Sequence, residues 1–322
     1  MNKILMSRGA RTVVEVCAGV KPGENVLIIT EPKMMKIAES ISAAVYANGA
    51  EPTISVMIPR LQDSAEPPES IAAAMKCSDV FISAVFKSIT HTKAVKNAIE
   101  AGSRGIMLTQ FNENMLMQGG VEADFRKIAP TCQAMSKALE NSQEIILTTP
   151  YGTDLKFSAM GRRGNALTCL VSKGMFAPVP TIEANVSPLE GTANGIIVAN
   201  ASIPYLGIGV LKESAIAKVV DGMIISINGG EQAAILDKNL KSMNDPLVYN
   251  IAELGVGLNP KCRFMGFMLE DEGVYGSVHI GIGTNITLGG NVKASCHYDL
   301  IMTEPTIVAD GKVLLKNGEV CI

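Results

Sequence analysis

Two of the chain's three histidines stand close together, in Gly276-Ser277-Val278-His279-Ile280-Gly281 and Ser295-Cys296-His297-Tyr298-Asp299-Leu300. Side chains alternate faces along a strand, so His297 and Asp299, two residues apart, point the same way and can share one metal ion. His279 would be the third ligand. A set of two imidazoles and one carboxylate leaves positions open on the metal, which suits non-haem Fe(II) with oxygen, or Zn, Mn or Co with an activated water. The competing reading at this point is that each histidine is an ordinary, partly buried residue bonded to backbone.

Nearby carboxylates add to the first reading. Glu183 lies in Pro180-Thr181-Ile182-Glu183-Ala184-Asn185 and Glu253 in Ile251-Ala252-Glu253-Leu254-Gly255-Val256-Gly257, both among apolar neighbours, while Glu270, Asp271 and Glu272 come just before His279. A carboxylate in apolar surroundings is costly to bury unless a cation or donors satisfy it. Glu183, Glu253 and Glu272 are therefore candidates to support the ligands, to hold a second metal or to bind substrate. For Glu270 and Asp271 a solvated turn is the expectation. The glycines of Gly207-Ile208-Gly209, Gly255-Val256-Gly257 and Gly281-Ile282-Gly283 lack the spacing of a dinucleotide or phosphate loop. They read as close-packing or bulge glycines around a site.

These residues need a scaffold, and the 322-residue chain has material for one large or two ordinary domains, with 47% apolar residues. The first part alternates strand and helix patterns. Asn25–Thr30 reads as a strand, Lys33–Asn48 as a helix closed by Gly49, Pro52–Ile58 and Val80–Phe86 as strands, Lys93–Ala101 as a helix closed by Gly102, and Gly105–Leu108 as a further strand. Repeated units of this kind favour a parallel sheet with helices on its faces. After about residue 142 the pattern changes to a hairpin, Ile145–Thr148 with Leu155–Phe157, then short strands at Gly222–Ile227, Val278–Ile282, Ser295–Met302 and Lys312–Leu315 and one clear helix, Glu231–Lys241. The expected fold class is α/β: an N-terminal α/β domain, 1–142, with a mostly parallel sheet, and a C-terminal α+β metal-site domain, 143–322.

Composition excludes several functions. A formal charge of -3 with no long Lys/Arg run gives no field for a nucleic-acid backbone, and 4% aromatic residues supply little base stacking. The start turns polar too early for a secretory signal, and the most apolar stretch, Gly195–Leu211, is interrupted by Asn200, Ser202, Pro204 and glycines, so no membrane helix is expected. Seven cysteines without a CxxC pair read as reduced thiols in a cytoplasmic protein. The expected partners are a small-molecule substrate and further copies of the chain, with neither nucleic acid nor membrane.

The segment Glu183-Ala184-Asn185-Val186-Ser187-Pro188 with Glu190-Gly191-Thr192-Ala193-Asn194-Gly195, then Ala252-Glu253-Leu254-Gly255, Asp271-Glu272, Gly276–Gly283 and His297-Tyr298-Asp299, resembles the aminopeptidase T family of metallo-aminopeptidases. The same order is similar to that family's relative, 2,5-dihydroxypyridine 5,6-dioxygenase. Gly9-Ala10-Arg11-Thr12, Lys21-Pro22-Gly23-Glu24 and Gly49-Ala50-Glu51-Pro52 extend the likeness over nearly the whole chain.

The two branches imply different chemistry. The peptidases imply two metals and a hydrolytic water; the dioxygenase implies one Fe(II) on two histidines and an aspartate. The peptidase branch is expected to carry a tyrosine seven residues after His279, where this chain has Ile286, and His91, in Ser88-Ile89-Thr90-His91-Thr92, resembles the catalytic histidine of the dioxygenase's N-terminal domain. The resemblance therefore implies an Fe(II)-dependent ring-cleaving dioxygenase acting on a small hydroxylated N-heterocycle. His279, His297 and Asp299 would be its metal ligands and His91 its base. A metallo-aminopeptidase using one or two Zn, Co or Mn ions is the alternative, and a non-catalytic ligand- or metal-binding relative is a third.

Overall fold

A computed structural model describes residues 2–322. In chain order the first strands are β1 (Asn25–Thr30), β2 (Glu51–Val56), β3 (Val80–Val85), β4 (Arg104–Thr109), β5 (Ile145–Thr148), β6 (Asp154–Phe157), β7 (Asn165–Leu167), β8 (Phe176–Pro178), β9 (Glu183–Val186) and β10 (Asn194–Ala199). They are followed by β11 (Ser202–Ile203), β12 (Gly209–Val210), β13 (Ala215–Val220), β14 (Met223–Asn228), β15 (Ile251–Gly257), β16 (Val278–Gly283), β17 (His297–Met302), β18 (Thr306–Ala309), β19 (Lys312–Lys316) and β20 (Glu319–Val320).

The chain forms two compact units. The N-terminal unit runs to Lys127 and takes back Leu167–Thr181; the C-terminal unit is Ile128–Ala166 with Ile182–Ile322. This division departs from 1–142 and 143–322 in two places. Most of the helix Phe125–Leu139 belongs to the second unit, where the Cys132 thiol donates to the Glu183 carbonyl at 3.0 Å, and β8 returns to add a strand to the first unit's sheet.

The N-terminal sheet has the order β2-β1-β3-β4-β8 and is parallel throughout. Parallel strands covered on both faces should read as continuous apolar runs, and Val26–Thr30, all of β3 and all of β4 are buried. The helices Glu69–Cys77 and Lys93–Glu100 lay Ile71, Met75, Val95 and Ala98 against Leu27, Ile29, Phe81 and Val85. Each of these side chains larger than alanine contributes about 1.5–3 kcal/mol relative to exposure. Gly105 stands opposite Phe81 in the register, and a Cβ there would lie 2.2 Å from the Phe81 ring.

The C-terminal unit holds two antiparallel sheets, β14-β13-β10-β6-β5-β18-β19-β20 and β12-β11-β17-β16-β15-β9-β7. The α/β class is as expected. The 145–157 hairpin forms as read, with β5 paired to β6. Among the described residues no helix is long and apolar enough to cross a membrane, and no disulfide joins the cysteines.

Candidate metal centre

The seven-stranded sheet separates chemistry from packing by its register. Directly paired residues of an antiparallel ladder share a face. Leu254 pairs Val186 and Ile280, and Ile280 pairs Leu300, so one face is apolar. On the other face five candidates each stand opposite a glycine: Glu183 opposite Gly257, His279 opposite Gly255, Glu253 and Asp299 opposite Gly281, and His297 opposite Gly283. The missing side chains are space that the site uses. A Cβ on Gly255 would sit 2.0 Å from His279 Nε2, and one on Gly281 would sit 2.7 Å from His297 Nε2 and 2.8 Å from the Glu253 Cβ. A register shift between Ile251 and Glu253 matters equally, because it turns Ile251 to the apolar face, paired with Ile282, and Glu253 to the polar one.

Five side chains converge there as two overlapping groups. Glu183, Glu253 and His279 offer ligand atoms within 4.8 Å of one another, and so do Glu253, His297 and Asp299. Glu253 is common to both: its Oε2 is 2.9 Å from His297 Nε2 and its Oε1 is 4.0 Å from His279 Nε2. His279 Nε2 is 3.6 Å from Glu183 Oε2, and His297 Nε2 is 3.5 Å from Asp299 Oδ1. The sequence expectation joined His279 directly to His297 and Asp299; in the structure Glu253 completes both groups. The geometry around His297 also fixes its tautomer. Its Nδ1 is 2.7 Å from the Thr284 carbonyl, which can only accept, so Nδ1 carries a hydrogen and Nε2 faces the carboxylates.

The cluster is short of positive charge. Glu183, Glu253, Glu272 and Asp299 are set against two imidazoles. Burial pushes Glu183 up to about 7, with His279 opposing and Glu253 adding to the rise. Burial also holds Glu272 well above the usual carboxylate range, reinforced by Asp299 and Glu183. For the histidines burial acts downward, but Asp299 and Glu253 outweigh it at His297, which lies well above the ordinary value, and Glu183, Asp299 and Glu253 outweigh it at His279. Asp299 goes the other way. Burial would raise it, yet His297 and the hydrogen bonds it receives hold it far below the usual range. Glu183 Oε2 and Asp299 Oδ1 are buried with no hydrogen-bond partner. Unpartnered carboxylate oxygens beside imidazole nitrogens are what a divalent cation would satisfy, so the residues fit a metal.

Surrounding groups orient the cluster. Asn185, two residues along β9 and so on the same face, donates from Nδ2 to Glu183 Oε1 at 2.7 Å and accepts at Oδ1 from Asn165 Nδ2 at 2.8 Å. The Tyr205 hydroxyl lies 2.5 Å from Asp299 Oδ2 and 3.0 Å from Glu272 Oε1, which places Glu272 beside Asp299. Period-two alternation could have found Asn185. Tyr205 carries no such signal, since it meets Asp299 across 94 residues of sequence from a loop between β11 and β12.

Glu270 and Asp271 are not in a solvated turn. Both are fully buried. Asp271 accepts from the Met265 and Gly266 amides and from the Ser202 hydroxyl, and Glu270 accepts from the Arg263 amide. Backbone donors of the 263–267 loop replace the water that the sequence reading supplied. His91 lies in the N-terminal unit, exposed, in the turn between β3 and the helix Lys93–Glu100. Thr92, not His91, caps that helix by accepting from the Val95 amide at 3.3 Å.

Comparison with known proteins accords with this geometry. The chain resembles in structure a 2,5-dihydroxypyridine dioxygenase from Pseudomonas putida KT2440, with a TM-score of 0.83, 18% identity and coverage of 100% of this chain and 98% of that one. It also resembles wild-type AmpT from Thermus thermophilus, with a TM-score of 0.71, 15% identity and full coverage of both. In sequence it is 23% identical over 264 residues to the 2,5-dihydroxypyridine 5,6-dioxygenase of Pseudomonas putida, spanning 77% of this chain and 72% of that protein. The expected kinship with 2,5-dihydroxypyridine 5,6-dioxygenase is met, and the fold is shared with AmpT. A sequence model of the NicX family, 2,5-dihydroxypyridine 5,6-dioxygenase, matches residues 6–322, and the chain belongs to that family.

Proposed function

We propose that the protein is an Fe(II)-dependent dioxygenase that opens the ring of a small hydroxylated N-heterocycle such as 2,5-dihydroxypyridine. The observation that carries this reading is the buried cluster with its unpartnered Glu183 and Asp299 oxygens, in a chain of a dioxygenase family. On this reading His279, His297 and Asp299 would hold the metal, with Glu253, the member common to both groups, between the two imidazoles. A bound Fe(II) supplies Lewis acidity toward a ring hydroxyl and electrons toward dioxygen. The protein's own residues do the rest. Thr284 fixes the His297 ring, Asn185 fixes Glu183, and His91 takes the proton of a ring hydroxyl. Cysteines without disulfides suit a reducing cytoplasm, and we place the enzyme there as a homo-oligomer.

The Glu183, Glu253 and His279 group favours a second reading, a metallo-aminopeptidase with one or two Zn, Co or Mn ions. One experiment separates the two. Protein purified without chelator is reconstituted anaerobically with Fe(II), or with Zn, Co or Mn, and given either 2,5-dihydroxypyridine with oxygen or an amino-acid anilide. The dioxygenase reading expects ring loss with matching oxygen uptake under Fe(II) only. Anilide hydrolysis with no oxygen uptake would establish the peptidase instead.

A further inference from the structure

The two oxygens of Asp299 have different surroundings. Oδ1 is buried, lacks a hydrogen-bond partner and stands 3.5 Å from His297 Nε2. Oδ2 is held by the Tyr205 hydroxyl at 2.5 Å. A phenol has one hydrogen to give, and the longer 3.0 Å contact to Glu272 leaves Asp299 as the preferred acceptor.

Tyr205 is built into this position. Its ring packs against Tyr298, with centroids 4.9 Å apart and planes tilted by 41°. The loop that carries it is tied at one end by Ser202, whose hydroxyl donates to Asp271, and at the other by Gln232, whose Nε2 donates to the Ile208 and Val210 carbonyls at 3.0 and 2.9 Å. The turn between the ties needs left-handed backbone at Leu206, φ 58°, and Gly207, φ 74°. A donor braced in this way needs little reorganisation to keep its hydrogen on one oxygen.

We propose that Tyr205 is a positioning residue that sets how Asp299 meets the metal: by occupying Oδ2 it leaves Oδ1 as the one oxygen presented to the ion. This rests on Asp299 being a ligand, as in the reading above. Carboxylates bind cations through one oxygen or two. A two-oxygen Asp299 would fill a position that a set of two imidazoles and one carboxylate otherwise leaves for substrate. Tyr205 thus protects an open position without touching the ion.

Co(II) in place of the native metal, without substrate, provides a readout independent of turnover. Wild type, Tyr205→Phe, Gln232→Ala and Asp299→Ala are compared by visible absorption, by Co(II) affinity in competition with a chelator, and by thermal melting. Tyr205→Phe keeps the stacked ring and is expected to melt like wild type, to change Co(II) affinity about tenfold or more, and to weaken the visible bands as coordination number rises. Gln232→Ala unties the loop that carries Tyr205 while leaving the cluster's own groups in place, and is expected to move the spectrum in the same direction by a smaller amount. It retains the test should Tyr205→Phe not fold. An unchanged spectrum in Tyr205→Phe, or in Gln232→Ala should Tyr205→Phe not fold, would overturn the positioning role. A wild-type Co(II) spectrum surviving in Asp299→Ala would instead overturn the ligand assignment beneath it.

Discussion

The parallel sheet of the N-terminal unit and the seven-stranded sheet of the C-terminal unit use the same device to opposite ends. In the first, Gly105 stands opposite Phe81 and gives the benzene ring the room its own side chain would take. In the second, Gly255 stands opposite His279 and gives room to an imidazole. Both rings are buried. What differs is what surrounds them. Phe81 meets Leu27, Ile29 and the helix residues above them, which need nothing further. His279 meets Glu183 and Glu253, whose burial is expensive until a cation arrives. A glycine opposite a ring is therefore a packing solution; acids around the ring make it a site.

Five substitutions test that contrast. The largest effect should come from His297→Ala and Asp299→Ala, each removing metal binding altogether; metal analysis after dialysis showing full occupancy in either would break the assignment. Next, His91→Ala should keep its metal while turnover falls by about 10²–10⁴. A variant whose metal content falls in step with its rate would place His91 with the ligands instead. Gly255→Ala should follow, since its Cβ would lie 2.0 Å from His279 Nε2 and must displace that ring. We expect metal affinity to drop at least about tenfold. Gly105→Ala, the matching change in the parallel sheet, should cost about 1–3 kcal/mol of stability through overpacking against Phe81 and leave metal affinity untouched. Equal losses of affinity in both glycine variants would mean that the contrast is only one of stability.

The smallest effect concerns the N-terminal unit alone. Arg104 donates to both carboxylate oxygens of Glu24, at 3.0 and 2.5 Å. Burial raises the Glu24 pKa, but the Arg104 and Lys21 hydrogen bonds outweigh it and leave the group below its usual value. A depressed folded-state value means that this pair stabilises fully above the unfolded carboxylate's pKa of about 4.3 and is lost as pH falls through the folded value. Glu24→Gln should therefore cost about 1 kcal/mol in neutral urea denaturation, with the gap to wild type closing in acid. A gap that widens below pH 4 would refute it.

Much of this was legible in the sequence wherever one signal sufficed. β1, β3 and β4 announce themselves because strands buried on both faces need no polar residue, and the β5–β6 hairpin is bracketed by turn residues. His297 and Asp299 were readable as a pair because two residues along a strand return to the same face. β8 is three residues long and shows no period, so its return to the first sheet left no trace. The helix Phe125–Leu139 carries Pro130 inside it, a residue that ordinarily argues against helix. The grouping of the ligands was hidden for a different reason. Whether Glu253 joins the histidines depends on pairing across three strands and on the irregularity beside Ala252, neither of which is local. Glu270 and Asp271 misled because exposure was assumed for acids whose donors, the loop amides, have no sequence signature.

The irregularity in β15 has one more consequence. A β15 paired one residue out of step would turn Glu253 into the apolar layer and deprive an ion of the carboxylate that completes both groups. Only correctly paired molecules can then load, so metal uptake becomes an audit of folding. Because the ion binds the native form alone, free metal at a hundredfold over its Kd adds about 2.7 kcal/mol in favour of that register. Cells starved of the metal should accumulate more of the misaligned protein, and supplying the metal during refolding should raise the yield more than supplying it afterwards.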